Sequence, residues 1–219
     1  MFRFLINILL PQPPNVAQLE KMSAEDLRAA VPPTTTQPRD WVLPIFSYEN
    51  PLIKNAIWEV KYRGNRVIAK LLGDIIAEEL TEWLVELSET ENFRAPLFVP
   101  IPLARKRERE RGFNQCVLIA KEACMPTGMA ARGLAGFVEL RTDILIKIKE
   151  TESQTKSVNR EKRFKNLEDC FRVTKPEEIK GRNIVLFDDV TTTGATLQEA
   201  RHEFISNGAR KVIAITVAH

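Results

Sequence analysis

The chain has 219 residues, 44% apolar and 28% charged, the balance of a globular protein with its own core rather than a disordered one. Net charge is only +3, from 32 basic and 29 acidic residues, so nothing global dictates a nucleic-acid partner. Three cysteines with no CxxC pair, beside only His202 and His219, argue against a protein-built zinc site and read as reduced, cytoplasmic thiols.

The first residues, FRFLINILL, place Phe2, Leu5, Ile6 and Leu9 on one helical face. The run is too short to span a bilayer, and Pro11, Pro13 and Pro14 follow it in place of a small-residue cleavage site. A short helix docked on the main domain is expected, with weak membrane-surface contact as the lesser alternative. Residues 11–40 are rich in Pro, Thr and Gln and read as a partly ordered linker. Only SAEDLRAAV looks helical there, with Ser23 as cap and Asp26 completing a capping box.

Trp41 to Tyr48 reads as a strand, placed at a sheet edge by Pro44. Helices are expected over 51–62, opened by Pro51, and over 66–88, with Gly64 between them. The glutamates Glu78, Glu79, Glu82, Glu86, Glu89 and Glu91 mark a solvated face near the end of the second. From residue 96 strand-like runs at 97–101, 143–148, 184–187 and 211–217 alternate with helical runs at 113–124 and 195–207. Cys116 and Cys124, eight apart, fall on one face of the first of those and read as packing residues. Gly208 suits the left-handed position after a helix. Continuous apolar strands alternating with helices predict an α/β fold, a mostly parallel sheet flanked by helices. The expected division is an N-terminal helix and linker extension at 1–45 and the main domain at 46–219.

The stretch IVLFDDVTTTGAT, 184–196, carries the chemistry. A buried strand ends in two carboxylates, followed by hydroxyls, a glycine and a helix from Ala195. Ligands bind beyond the carboxyl ends of strands in open α/β sheets. A helix N-terminus offers unpaired N–H groups and partial positive charge to an anion, and Gly194 lets the backbone approach a phosphate. Thr192, Thr193 and Thr196 add hydroxyl donors. Asp188 and Asp189 would repel phosphate, so they suit ribose hydroxyls, a metal or an oxocarbenium-like transition state. The plainer alternative is a strand end followed by a capped helix.

VLFDDVTTTGAT resembles the phosphoribosyl-diphosphate (PRPP) motif of type I phosphoribosyltransferases. The resemblance implies that Asp188 and Asp189 hold the ribose, and that Thr191, Thr192, Thr193, Gly194, Ala195 and Thr196 form the 5′-phosphate loop. VKYRGNRVIAKLLG (60–73), VPIPLARKRERERGFNQ (99–115) and TESQTKSVNREKRFKNLEDCF (151–171) resemble, in the same order, segments of the ComF family of competence-related proteins. This implies a type I phosphoribosyltransferase-like fold and magnesium carried with PRPP; the scarcity of cysteine and histidine leaves the expectation of no zinc and no protein-built metal site. It also implies a diphosphate loop begun by Pro100, Ile101, Pro102 and Leu103, with Arg105, Arg107 and Arg111 as candidate contacts. Segment 150–166, with Thr151, Gln154, Arg160 and Arg163, resembles the flexible loop that closes over PRPP. Family members commonly open with a four-cysteine zinc ribbon; here that region has no cysteine, and the Pro/Thr-rich segment stands in its place.

The basic segments admit a second use. RKRERER at 105–111 has five basic and two acidic residues, and 141–165 has eight basic and four acidic. Such strips bind a nucleic-acid backbone without reading its sequence. Phe113 and Phe164 are isolated, so no base-stacking platform is indicated. Two functions follow: a magnesium-dependent phosphoribosyltransferase of unnamed acceptor, or a noncatalytic accessory protein of natural transformation. The latter would bind PRPP, nucleotide, single-stranded DNA or DNA-uptake proteins.

Overall fold

The computed structural model describes residues 15–36, 39–125, 138–149 and 169–219. The expectations for Phe2 to Leu9 and for Thr151, Gln154, Arg160 and Arg163 lie outside these residues. Among the described residues, no helix is long and apolar enough to cross a membrane.

Five strands form one parallel sheet: β1 (Val42–Phe46), β2 (Leu97–Pro100), β3 (Glu139–Leu140), β6 (Asn183–Val190) and β7 (Lys211–Ala218). Their spatial order is β1-β7-β6-β2-β3. Pro44 lies on an edge strand as expected, where its missing N–H costs no ladder bond. Successive residues of β6 face opposite sides. Val185 and Phe187 join the core under α4 (Arg66–Thr90) and α6 (Gln115–Ala123). Ile184 and Leu186 join Leu197, Ala200 and Phe204 of α8 (Ala195–Ser206) on the other side. A sheet covered on both faces explains why its inner strands are apolar without alternation.

Local sequence starts and stops the helices. The side chain of Asn50 accepts from Leu52 N at the head of α3 (Pro51–Trp58), and Asn65 from Val67 N and Ile68 N at the head of α4. Asn114 does the same for α6, accepting from Cys116 N at 2.8 Å. Gly208 adopts φ 91° after α8, the left-handed conformation expected of it. Gly73 sits inside α4 because a Cβ there would lie 2.7 Å from Glu122 Cβ and 2.9 Å from Ala123 N of α6.

Four expectations need correction. The helix expected over 51–62 is α3 followed by a π-helical turn, Glu59–Arg63, which ends on Gly64 at φ 62°. The run at 143–148 adds no strand to the parallel sheet. Its core, β4 (Leu145–Lys147), pairs antiparallel with β5 (Phe171–Val173), because a short apolar run does not specify its partner. RKRERER is a helix, α5 (Arg105–Arg111), since Arg, Lys and Glu are good helix formers. The linker carries two helices, α1 (Val16–Leu19) and the capped α2 (Ala24–Ala30). Val16, Leu19, Leu27 and Val31 of that segment are buried in the same core as α3 and α4. The expected division at 45/46 falls inside β1. A last short helix, α7 (Pro176–Ile179), precedes β6.

Candidate functional site

From β2 the chain passes through α6 toward β3, and from β6 through α8 toward β7, so the connections of these neighbours leave in opposite directions. That divergence opens a crevice at their carboxyl ends, where ligands of such sheets bind. Both expected loops start there. Ile101 N donates to Phe187 O at 2.8 Å, holding the Pro100–Leu103 loop beside the strand that carries Asp188 and Asp189. The buried side chain of Asn114 donates to Ile101 O at 2.9 Å and fixes the same loop from α6.

The two acids lie within β6 rather than beyond it, and differ in surroundings. Asp189 is buried; Gln115 Nε2 donates to its Oδ2 at 3.3 Å, and Lys61 Nζ stands 3.6 Å away. Asp188 is half-buried and accepts from Asp189 N at 3.0 Å and from the Cys116 thiol at 3.4 Å. Burial first, and then the neighbouring Asp189 carboxylate, hold Asp188 well above the usual carboxylate range. The same burial, with Asp188 beside it, raises Cys116 well above an ordinary thiol. Cys116 therefore stays an S–H donor rather than a nucleophile. Asp189 in turn raises Lys61, keeping it cationic. Ligand atoms of Cys116, Asp188 and Asp189 all lie within 4.8 Å of one another, the one such group among the described residues.

The expected phosphate loop follows directly. Thr191 is buried, with its N–H on Ala218 O at 3.0 Å, so it anchors the loop. Thr192 is exposed, Thr193 and Thr196 are half-buried, and Gly194 caps α8 at φ 72°. Thr193 Oγ1 accepts from Ala195 N at 3.4 Å. The first-turn N–H groups of α8 have no carbonyl partner within the helix and face this end.

The three candidate arginines of α5, Arg105, Arg107 and Arg111, do not converge. Arg105 is exposed and lines a cavity of about 320 Å³ with Lys106, Arg109, Lys147 and Lys149. Arg107 lies close enough to Lys147 for repulsion to count. Arg111 points toward the acids: its Nη1 donates to Gln115 Oε1 at 3.1 Å and its guanidinium stacks 5.3 Å from the centre of the Tyr62 ring.

Sequence reasoning does not reach Lys61 or Gln115, although both lie in segments that carry the family resemblance. Nor does it reach Arg39 and His219. A Cβ on Gly194 would lie 3.2 Å from Arg39 Nε, and His219 Nε2 stands 3.1 Å from Thr192 O. No local signal marks any of the four.

The family described as "Phosphoribosyl transferase domain" matches residues 103–219. The "Competence protein ComFC" of Bacillus subtilis is 30% identical over 164 residues, 75% of this chain and 58% of that protein. The Streptococcus pneumoniae protein of the same name is 30% identical over 168 residues, 77% of this chain and 63% of its own. The "DNA utilization protein YhgH" of Escherichia coli K12 is 28% identical over 179 residues, 80% of this chain and 71% of its own. The chain thus spans little more than half the length of the Bacillus relative. The chain belongs to the phosphoribosyl transferase domain family, whose match spans the paired acids and the glycine-capped helix, and it is similar to the ComFC and YhgH proteins.

Proposed function

We propose that this protein binds PRPP with magnesium at the crevice between β2 and β6 and acts as a phosphoribosyltransferase-like protein. The observation that carries the reading is the adjacency of Asp188 and Asp189 to the Gly194-capped start of α8. Carboxylates suit ribose hydroxyls; a helix N-terminus with hydroxyl donors suits the 5′-phosphate. One ligand bearing both groups in that order satisfies both ends.

In this reading Asp188 and Asp189 orient the ribose, and the loop from Thr191 to Thr196 holds the 5′-phosphate. Arg111 and the Pro100–Leu103 loop face the diphosphate. The bond from C1 to the diphosphate oxygen breaks, the electron pair leaves with diphosphate, and an acceptor nucleophile forms the new bond at C1. The carboxylates stabilise the positive charge that develops on the ribose. Magnesium prefers oxygen ligands and keeps several waters, so the Cys116 thiol does not suit it, whereas the oxygens of Asp188 and Asp189 do. Bound with PRPP, the ion would neutralise part of the leaving group's charge. Free thiols at Cys116, Cys124 and Cys170 accord with a cytoplasmic location.

Calorimetric titration with PRPP and Mg²⁺ tests the binding; silence would reject the reading. Diphosphate release with a panel of nucleobases tests transfer. A second reading, DNA handling, has its own support: five basic side chains line the cavity between α5 and β4, and relatives carry the names competence and DNA utilization protein. A shift of single-stranded DNA that weakens with salt and disappears on neutralising Arg105, Lys106 and Arg109 would favour it.

A further inference from the structure

We propose that Arg39, from the N-terminal extension, is a direct ligand of the 5′-phosphate, supplying a full positive charge to a loop that otherwise offers neutral donors. The inference rests on the reading of 191–196 as a phosphate loop and adds a residue outside the 103–219 stretch that the family covers.

The geometry places the guanidinium at the loop. A Cβ built on Gly194 would lie 3.2 Å from Arg39 Nε and 3.7 Å from its Cδ, with Thr191 Oγ1 4.0 Å away. Gly194 is the cap of α8, so Arg39 sits against the positive end of a twelve-residue helix. Electrostatics alone would drive a cation from that position, because helix N-termini favour anions. Among the described residues no carboxylate lies within ion-pair distance of Arg39, whereas Arg28, Arg63, Arg141 and Arg182 each have at least one. A cation and a helix N-terminus held together without a carboxylate are complementary to an anion shared by both.

The backbone that follows Arg39 is tied to the sheet edge. Arg39 O accepts from Val42 N at 3.0 Å, and Trp41 O accepts from Ala214 N of β7 at 2.8 Å. Arg201 of α8 stacks 5.0 Å from the centre of the Trp41 ring, tying the same turn to the helix whose start Arg39 covers. The half-buried side chain thus leaves from a turn bonded to β7 on its C-terminal side. Thr192, Thr193 and Thr196 contribute hydroxyls only. A phosphate monoester carries close to two negative charges at neutral pH, and Arg39 answers the part that neutral donors leave.

The test compares the wild-type protein, Arg39→Gln and Arg39→Lys by calorimetric titration with ribose 5-phosphate and, separately, with magnesium diphosphate. Arg39→Gln should weaken ribose 5-phosphate roughly ten- to a hundredfold, the range of a hydrogen bond to a charged group, and leave diphosphate binding within about twofold. Arg39→Lys should recover part of the loss. The ligand-free melting temperature of Arg39→Gln should be unchanged or higher, since a cation leaves a helix N-terminus. Wild-type binding of ribose 5-phosphate that Arg39→Gln retains in full would overturn the role of Arg39 alone. Equal losses toward both ligands, or a fall in ligand-free melting temperature, would make Arg39 a structural residue. Failure of the wild-type protein to bind ribose 5-phosphate would bring down the phosphate-loop reading and this inference with it.

Discussion

Lys61 Nζ stands 3.6 Å from Asp189 Oδ2, joining the π-helical turn ahead of α4 to the end of the central strand β6. The carboxylate is buried and the ammonium less than one-third exposed, so the pair is partly shielded from water. Removing the cation leaves a buried charge supported only by the neutral donors Gln115 Nε2 and Val190 N, the costly way to break such a pair. Lys61→Met is expected to destabilise the protein by about 1–2 kcal/mol in urea titration at neutral pH. A double-mutant cycle with Asp189→Asn should recover a coupling of about 1 kcal/mol. Lys61 is raised above its ordinary value, so its contribution is complete below that value and is lost as pH rises through the raised one. Wild type and Lys61→Met should therefore converge only in strongly alkaline solution; a zero coupling energy would show the pair to be incidental.

Asp188 should give the ligand-free protein an unusual pH dependence. Its folded-state value lies above the ordinary carboxylate range, so the folded chain holds a proton that the unfolded chain has released. Stability from this group is thus full in acid and falls as pH rises through the raised value. Asp188→Asn keeps an acceptor for the Cys116 thiol and removes the charge. It should flatten the decline and add about 1 kcal/mol near pH 8, relative to wild type. Melting curves from pH 5 to 9 in the presence of a chelator measure this. A stability that rises over the same interval by the same amount in both proteins would contradict it.

Gly73 is the contact point of α4 and α6. Alanine is better than glycine inside a helix by about 1 kcal/mol, and on propensity alone Gly73→Ala should stabilise. The new methyl would meet Glu122 Cβ at 2.7 Å and the backbone N of Ala123 at 2.9 Å, where backbone cannot yield cheaply. The expected net effect is a loss of about 1–3 kcal/mol, read as a lower denaturation midpoint. A higher midpoint would mean that α6 shifts freely. Since α6 carries Gln115 and Cys116, the variant should also weaken PRPP binding.

The paired substitution Asp188→Ala with Asp189→Ala is expected to lower PRPP affinity at least about a hundredfold, since both side chains that hold the ribose hydroxyls are lost together. Circular dichroism should confirm that the fold is retained. Full binding by this variant would place the ribose elsewhere in the molecule.

Much of this protein is written locally. The capping box of Ser23 and Asp26, the helix starts at Asn50, Asn65 and Asn114 and the stop at Gly208 each depend on residues a few positions apart, and the chain shows them before it folds. The apolar runs of β6 and β7 likewise announce strands buried on both faces, and DDVTTTGAT shows paired acids, hydroxyls and a glycine ahead of a helix from nearest neighbours alone. Pairings between distant segments are of another kind. Leu145 to Lys147 left the parallel sheet for Phe171 to Val173 because an apolar run fits any partner of similar length. Lys61 met Asp189, Gln115 bridged Arg111 to the same acid, and Arg39 reached Gly194 only once the strand order β1-β7-β6-β2-β3 had brought four separate segments to one edge. Neighbouring residues select the conformation of a segment through short-range sterics and hydrogen bonds. Which charge stands beside which depends on how the sheet stacks its segments, and that order belongs to the whole chain.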